Sequence, residues 1–402
     1  MRRKRVCAFL TVILCVLLAA ASCSAGGVTL WTVSSFAGAD PSAVSYTGIL
    51  RAWEADTGNT VTDKSATSDE AWKTDVLNSF AAGSEPDILF FFAGGSDSSA
   101  ILNKVVPIGE INRAYPDLDI PEDDLLREPD GQIYAVPVRP YYEGLFVNLD
   151  LFEQVGAELP ETWEQFEAAI AAFRDAGIVP ISVSLSDIPH YLAEFAILSC
   201  SSPEEYAARP ASYKEVPQSW LDGMALLRRL WELGAFAEDA ASTTEAEASR
   251  LFRDKKAAMQ IDGSWFANTL SDEAMDTTAV LPFPARSEKS GGMVIGGTSM
   301  GFYLTRCAWE SNRREAAVDL FARLTGRESR DLLNQGRSRG KLSNSILVLL
   351  SDQHRLVGPI QDAMKQSARE TWLLKCIIPV MTGRMNPEEC WAQVMARDPF
   401  SD

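Results

Sequence analysis

Two apolar runs, Val28-Thr-Leu-Trp-Thr-Val33 and Asp87-Ile-Leu-Phe-Phe-Phe92, frame the stretch that decides the fold. Both are short and β-prone, and the second is apolar without alternation, as a strand covered on both faces must be. Between them, Asp40-Pro41 offers an N-cap followed by proline in the first turn, so a helix is expected from there to Thr57, stopped by Gly58. Thr60–Lys64 reads as a second strand, and Asp69–Ala82 as a second helix with Gly83 just past its end. Strand, helix, strand, helix, strand implies a parallel sheet with helices packed on it, an α/β architecture.

Downstream the texture changes. Gly131–Val138 and Tyr142–Asn148 read as extended. Thr162-Trp-Glu-Gln165 is a capping-box pattern opening a helix to Ala176, and Val179–Ser184 returns to strand. Helices are expected over Pro217–Leu233, Thr244–Arg253 and Glu310–Thr325, and a last one begins at Asn386-Pro387-Glu388-Glu389. Ala257–Ile261, Ala279–Phe283 and Gly301–Thr305 are short strand candidates.

The chain has 402 residues and a net charge of −18. Its length calls for two domains or one large two-lobed unit. Its first segment has the order of a secretory signal: the basic Arg2-Arg3-Lys4-Arg5, the apolar Val6–Ala20, then Ala20-Ala21-Ser22-Cys23. The apolar run is too short for a membrane span, which needs roughly 20 residues. Small residues directly before a cysteine resemble the lipobox of bacterial lipoproteins, with Ala20 where leucine is usual. The resemblance implies removal of 1–22 and acylation of Cys23; the alternative is a plain signal with a chance cysteine. The basic residues of the signal would leave with it, making the remainder more acidic still. Such a charge disfavours nucleic acid, which needs a basic face. It also disfavours anionic solutes at long range, although a local arginine can override this.

Cys200, Cys307, Cys376 and Cys390 are scattered without a C-x-x-C pair, so both disulfides and buried free thiols remain open. His190 and His354 are the only histidines, and no metal site or cofactor is expected.

Several phrases stand in a telling order: Gly131-Gln-Ile-Tyr-Ala-Val-Pro137, Leu145-Phe-Val-Asn148-Leu-Asp150-Leu-Phe152, Leu159-Pro160, Thr162-Trp163-Glu-Gln-Phe166, Ala176-Gly177-Ile178-Val-Pro180, and Phe252-Arg-Asp-Lys-Lys-Ala257-Ala258-Met259-Gln-Ile-Asp-Gly263-Ser264-Trp265. Leu281-Pro282 and Gly296-Gly297 follow. This order resembles the extracellular solute-binding proteins, family 1, of ABC importers, which are similar to maltose-binding protein. The resemblance implies a two-lobed periplasmic-binding-protein-like α/β fold of type II. It places hinge crossings near Val136–Tyr142, Ala279–Ala285 and Gly326–Gly340. Residues 28–135 with 286–326 would form the N-terminal lobe, and 143–278 with 341–402 the C-terminal lobe. It implies a monomer, tethered to the bacterial cell membrane by its lipid alone. Between its lobes it would capture a mono- or oligosaccharide and deliver it to the permease subunits. A solute sensor serving a receptor would have the same binding chemistry.

The resemblance puts Trp265 in the cleft, stacked on a sugar face, since an aromatic plane suits axial C–H groups. Tyr141, Tyr142 and Glu143 lie where the first crossing is expected and suit hydroxyl groups; each has core packing as its alternative. Arg139 would pair with Glu143 or face a carboxylate-bearing solute. Ligands in open α/β sheets bind beyond the carboxyl ends of strands, which selects Ser34, Ser35, Phe36, and Gly94, Gly95, Ser96, Asp97. Gly296, Gly297 and Thr298 form the matching loop of the returning segment, where glycine lets backbone N–H groups approach a ligand.

Gly297-Thr298-Ser299-Met300-Gly301 also fits the G-x-S-x-G elbow of esterases, with Asp331 and His354 in hydrolase order downstream. An elbow needs a helix directly after its serine, whereas Gly301–Thr305 reads as strand. No catalytic residue is assigned, and Ser299 is expected to have no histidine within reach. A secreted glycosidase would need a carboxylate pair across a cleft, to which nothing in the sequence points.

Overall fold

The computed structural model describes residues 27–400 apart from 39, 69, 95, 119, 121, 123, 124, 129, 139, 287, 299 and 335–337. Residues 1–22, Cys23, Gly95, Arg139 and Ser299 therefore lie outside the described residues.

Eleven strands are described: β1 Thr29–Val33, β2 Thr60–Asp63, β3 Ile88–Phe92, β4 Val136–Pro137, β5 Tyr141–Asn148, β6 Val179–Ser182, β7 Ala257–Gly263, β8 Thr278–Leu281, β9 Met293–Gly297, β10 Met300–Leu304 and β11 Arg355–Val357. They form two sheets. The first has the order β2-β1-β3-β10-β4, and the second β11-β9-β5-β7-β6, with β8 also paired to β5. In the first, β1 runs parallel to β2 and β3, and β10 runs antiparallel to β3 and β4.

Strand alternation explains why β3 carries no polar face. Ile88 and Phe90 pack into one core with Phe302 and Leu304, while Leu89 and Phe91 pack into another with Tyr303. Helices cover both sides, so both faces must be apolar. The β5 strand splits in the same way: Leu145 and Val147 enter the largest core, and Tyr142 and Phe146 enter a smaller one with Phe252 and Phe266.

The helices follow their capping signals. Thr162 with Gln165 and Asn386 with Glu389 form reciprocal capping boxes that start Trp163–Asp175 and Pro387–Met395. Ala43–Thr57 starts later than Asp40-Pro41 predicts, because the Asp40 carboxylate accepts from the Ser42 N–H (2.8 Å) and closes a turn ahead of the helix. Gly58 ends that helix at φ 71°, a left-handed value that glycine adopts without strain.

The chain passes between the sheets after Pro137 in β4, and again between Gly297 of β9 and Met300 of β10. It passes a third time between Leu333, in the core of the first sheet, and Leu342, in a core of the second. One strand departs from the expected grouping. The sequence reading puts 286–326 with the first lobe, but Met293–Gly297 pairs with Tyr141–Tyr142 and with Arg355–Val357 in the second sheet. The two strands approach closely at Gly296, where a Cβ would meet the Tyr141 carbonyl oxygen at 2.6 Å.

Candidate functional site

The second and first crossings bring several of the singled-out residues together. Tyr141 stands opposite Gly297 and Tyr142 opposite Gly296, so the Gly-Gly pair flanks the start of β5. Glu143 stands opposite Gly263, the last residue of β7. Cross-strand partners project to the same face, so the missing side chain of Gly263 would lie beside the Glu143 carboxyl. The Trp265 indole fills that place: a Cβ on Gly263 would sit 2.1 Å from the ring. Glycine is thus required at 263 because the ring lies directly on the backbone.

Trp265 remains 37% exposed, an unusual state for so large an apolar ring. Its ring centre lies 6.4 Å from that of Tyr141, with planes within 24°, and 5.9 Å from that of Tyr191. Tyr191 comes from the helix Pro189–Leu198, which opens with proline shortly after β6. His190 and Tyr191 lie in this helix and not directly after β6, so reading the residues at each strand exit misses them.

Carboxyl groups gather beneath these rings. Glu143 is 4% exposed and its Oε2 has no hydrogen-bond partner. Burial holds its carboxyl well above the usual carboxylate range, and the charges of Glu194, Asp362 and Asp262 push it further. Asp262 accepts from the Gly263 N–H and from Gln260 Nε2, both at 2.7 Å; burial, then Glu245, raise it to about 7. Glu194 accepts from the Tyr206 hydroxyl and from the backbone N–H groups of Ile360 and Gln361, and burial raises it to about 7.

A second cluster joins the two sheets' regions. Asp97, in the short helix Ser96–Ser99 after β3, lies 3.3 Å from Lys73 Nζ and 3.3 Å from Arg369 Nη1. Lys73 belongs to the helix Glu70–Ala81 and Arg369 to Gln366–Thr371, on opposite sides of the third crossing. His190 is buried close by, and burial, then Lys73 and Arg369, lower it to about 3, so it is neutral.

Other expected contacts fall elsewhere. Tyr142 is 6% exposed and packs with Phe146, because alternation turns it away from the face that carries Tyr141 and Glu143. Phe36 is 3% exposed among Tyr46, Phe90 and Phe302, in the core of the first sheet. Both are corrected from solute contacts to core residues. Ser35 is buried, with its carbonyl accepting from Ala37, and the Ser34 hydroxyl meets that of Ser65 at 2.6 Å. The Gly94 N–H donates to Glu128 (3.1 Å). Thr298 is exposed on the crossing between β9 and β10. His354 directly precedes β11 at the edge of the second sheet.

Two α/β sheet units joined by crossing segments thus carry an aromatic and carboxyl cluster beside those crossings. Residues 39–299 match the family described as bacterial extracellular solute-binding protein, and the chain belongs to that family. It is 22% identical over 175 residues to a multiple sugar-binding protein of Streptococcus mutans serotype c, a match covering 41% of this chain and 42% of that relative. A chitin oligosaccharide binding protein superposes with a TM-score of 0.78 at 20% identity, covering 92% of this chain and 98% of the other. A solute-binding protein solved with raffinose gives 0.69 at 14% identity, covering 92% and 98%.

Proposed function

We propose that this chain is the carbohydrate receptor of an ABC importer, anchored outside the cell by a lipid on Cys23. The observation that carries this reading is the half-exposed Trp265, seated on Gly263 beside the buried and unpartnered Glu143 carboxyl. An aromatic face for the C–H side of a sugar, next to an acceptor for its hydroxyls, is the pairing that carbohydrate requires. A solute touching both lobes favours the closed form by its differential affinity, and the permease would recognise closure. We place the N-terminal lobe around the first sheet and the C-terminal lobe around the second, with Met293–Gly297 in the latter. The sugar-binding relative, the chitin oligosaccharide binding protein and the neighbour solved with raffinose support carbohydrate as the solute class.

The test is a thermal-shift screen of the soluble chain from residue 24 against a saccharide library, followed by calorimetry on the hits. A ligand that binds the folded state raises the melting temperature by mass action. No shift with any saccharide, together with a shift from amino acids or peptides, would overturn the carbohydrate reading. For the anchor, Cys23→Ala should release the protein from cells to the medium; retention at the membrane would refute lipidation.

A further inference from the structure

The four cysteines whose state the sequence leaves open separate by position. Cys307 is exposed in the helix Arg306–Trp309, which follows β10 of the first sheet. Cys200 is half-buried just past the helix Pro189–Leu198 and lies 3.9 Å from the Ser199 hydroxyl. Cys376 and Cys390 are both fully enclosed in the largest core. Cys376 ends the π-helical turn Trp372–Cys376, which continues into the helix Ile377–Met381. Gly383, left-handed at φ 74°, then turns the chain back, and the Asn386 capping box opens Pro387–Met395, the helix that carries Cys390. The two arms of this hairpin pack side by side at the cysteines. The ring of Trp372, which starts the turn, and that of Trp391, next to Cys390, have centres 5.5 Å apart. There the Cys390 thiol donates to the Cys376 sulfur, which holds Cys376 below and Cys390 above the usual thiol range.

We propose that Cys376 and Cys390 are a modification site, joined by a disulfide as the exported chain folds, and that the bond staples the C-terminal hairpin. Of the reading above this uses export alone, because disulfides persist outside the cytoplasm; the solute plays no part. The Cys376 thiolate attacks a sulfur of an oxidant that is itself a disulfide, either glutathione disulfide or an oxidised thiol oxidoreductase, and expels one thiolate. Cys390 then loses its proton, attacks the Cys376 sulfur and expels the other. One S–S bond forms and one breaks. Two protons and two electrons pass from the cysteines to the oxidant, which leaves as two thiols. Both sulfurs are enclosed in the folded chain, so the exchange belongs to folding, before the core closes. The bond ties a loop of about 15 residues, which disfavours the unfolded chain. The stapled arm is continuous with Gln366–Thr371, so the bond also steadies the helix whose Arg369 reaches Asp97.

The experiment unfolds and reduces the chain from residue 24 and refolds it in a buffer of glutathione and glutathione disulfide, with a parallel sample kept in dithiothreitol. Free thiols are alkylated and the protein is cut with trypsin. Cleavage after Lys375, Arg384 and Arg397 puts Cys376 and Cys390 on separate peptides. In the oxidised sample those two peptides should be joined, with Cys200 and Cys307 alkylated. Its melting temperature should exceed that of the reduced sample by about 4 °C. A double variant, Cys376→Ala with Cys390→Ala, should lose this difference. Cys376 and Cys390 both alkylated in a folded oxidised sample overturn the proposal, as does either one joined to Cys200 or Cys307. Joined peptides with no difference in melting overturn the staple. The two wild-type samples carry these outcomes, so they stay decisive if the double variant does not fold. Refolding in buffer needs no export, so failure here leaves the receptor reading intact.

Discussion

Phe36 and Trp265 each follow the end of a strand, and each reads from the sequence as a solute contact. The structure separates them. Phe36 is closed in by Tyr46, Phe90 and Phe302, whereas Trp265 lies on a glycine and leaves over a third of its surface open. The difference extends to the polar groups around them. Beyond the first sheet, Ser34, Gly94 and Asp97 are each engaged by other protein groups. Beyond the second, Glu143 is enclosed and unpartnered beside an exposed aromatic ring. A surface whose groups are satisfied internally can close over a ligand. A surface with an open acceptor and an open ring is the one that selects it. On the proposed reading the second sheet carries specificity and the first supplies the cover.

The largest effect that would break this comparison is on stability. Phe36→Ala removes a fully packed ring and should cost about 3–5 kcal/mol of folding free energy. The remaining folded protein should bind its saccharide almost as before. Denaturant melts and calorimetry on the same preparation measure the two quantities. A stable variant with lost binding would return Phe36 to the solute site.

The next effect is a pH slope, and it belongs to the second sheet. Asp262 and Glu194 hold protons up to about pH 7 in the folded chain, against usual values of 3.8 and 4.5. Between about pH 4 and pH 7 the folded form keeps protons that the unfolded chain has released. The stability these groups contribute is present below that window, falls as pH rises through it, and levels off above the folded values. Melting temperature of the solute-free protein should therefore decline from pH 5 to pH 8 on their account. Asp262→Asn cannot ionise and should decline less steeply. An identical slope in the variant would remove Asp262 as a cause.

How much of this was legible in the sequence follows from what kind of signal each part leaves. Caps and glycine stops are local chemistry, so Thr162, Asn386 and Gly58 mark helix ends that the structure reproduces within a residue or two. The alternating cores of β3 follow from its composition. The assignment of Met293–Gly297 to a sheet does not, because strand partners are chosen at long range, here Tyr141–Tyr142 and Arg355–Val357. In the site, alternation along β5 separates Tyr141 and Glu143 from Tyr142, and that was readable in principle once β5 was known to begin at Tyr141. The meeting of Arg369 with Asp97, 272 positions apart, leaves no trace in either stretch. Neither does the second donor set that distinguishes Glu194 from Glu143.

Trp265→Ala tests the selecting surface directly. Removing a stacked ring should cost about 1–3 kcal/mol of binding, by analogy with bases stacked on aromatics, or roughly 5- to 150-fold in affinity. The ring is half open, so solute-free stability should stay within about 1 kcal/mol of wild type. Calorimetric melting of the ligand-free variant separates the two readings. A large drop in melting temperature with intact affinity would make Trp265 a core residue like Phe36 and erase the contrast between the sheets.

The smallest effect concerns the place where the two regions touch. Asp97 meets Lys73 on its own side and Arg369 on the other, and both cationic side chains are under a tenth exposed. Asp97→Asn removes the carboxylate that Lys73 and Arg369 share. On the proposed hinge reading, opening would let Arg369 regain water, so the cost would fall on the closed form and shift the equilibrium toward open. Both contacts, at 3.3 Å, are long for charge-assisted hydrogen bonds, which argues for the lower end of such losses. An effect of about 1 kcal/mol is expected, or roughly fivefold weaker saccharide binding. Small-angle scattering of the solute-free variant should show a larger radius of gyration than wild type, and saturating saccharide should bring the two together. Arg369→Gln should act in the same direction, since it removes the bridging partner from the other lobe. If Asp97→Asn weakens binding with no change in the solute-free radius, Asp97 acts on the solute and not on closure. The first sheet would then contribute to selection, and the division of labour between the lobes would fail.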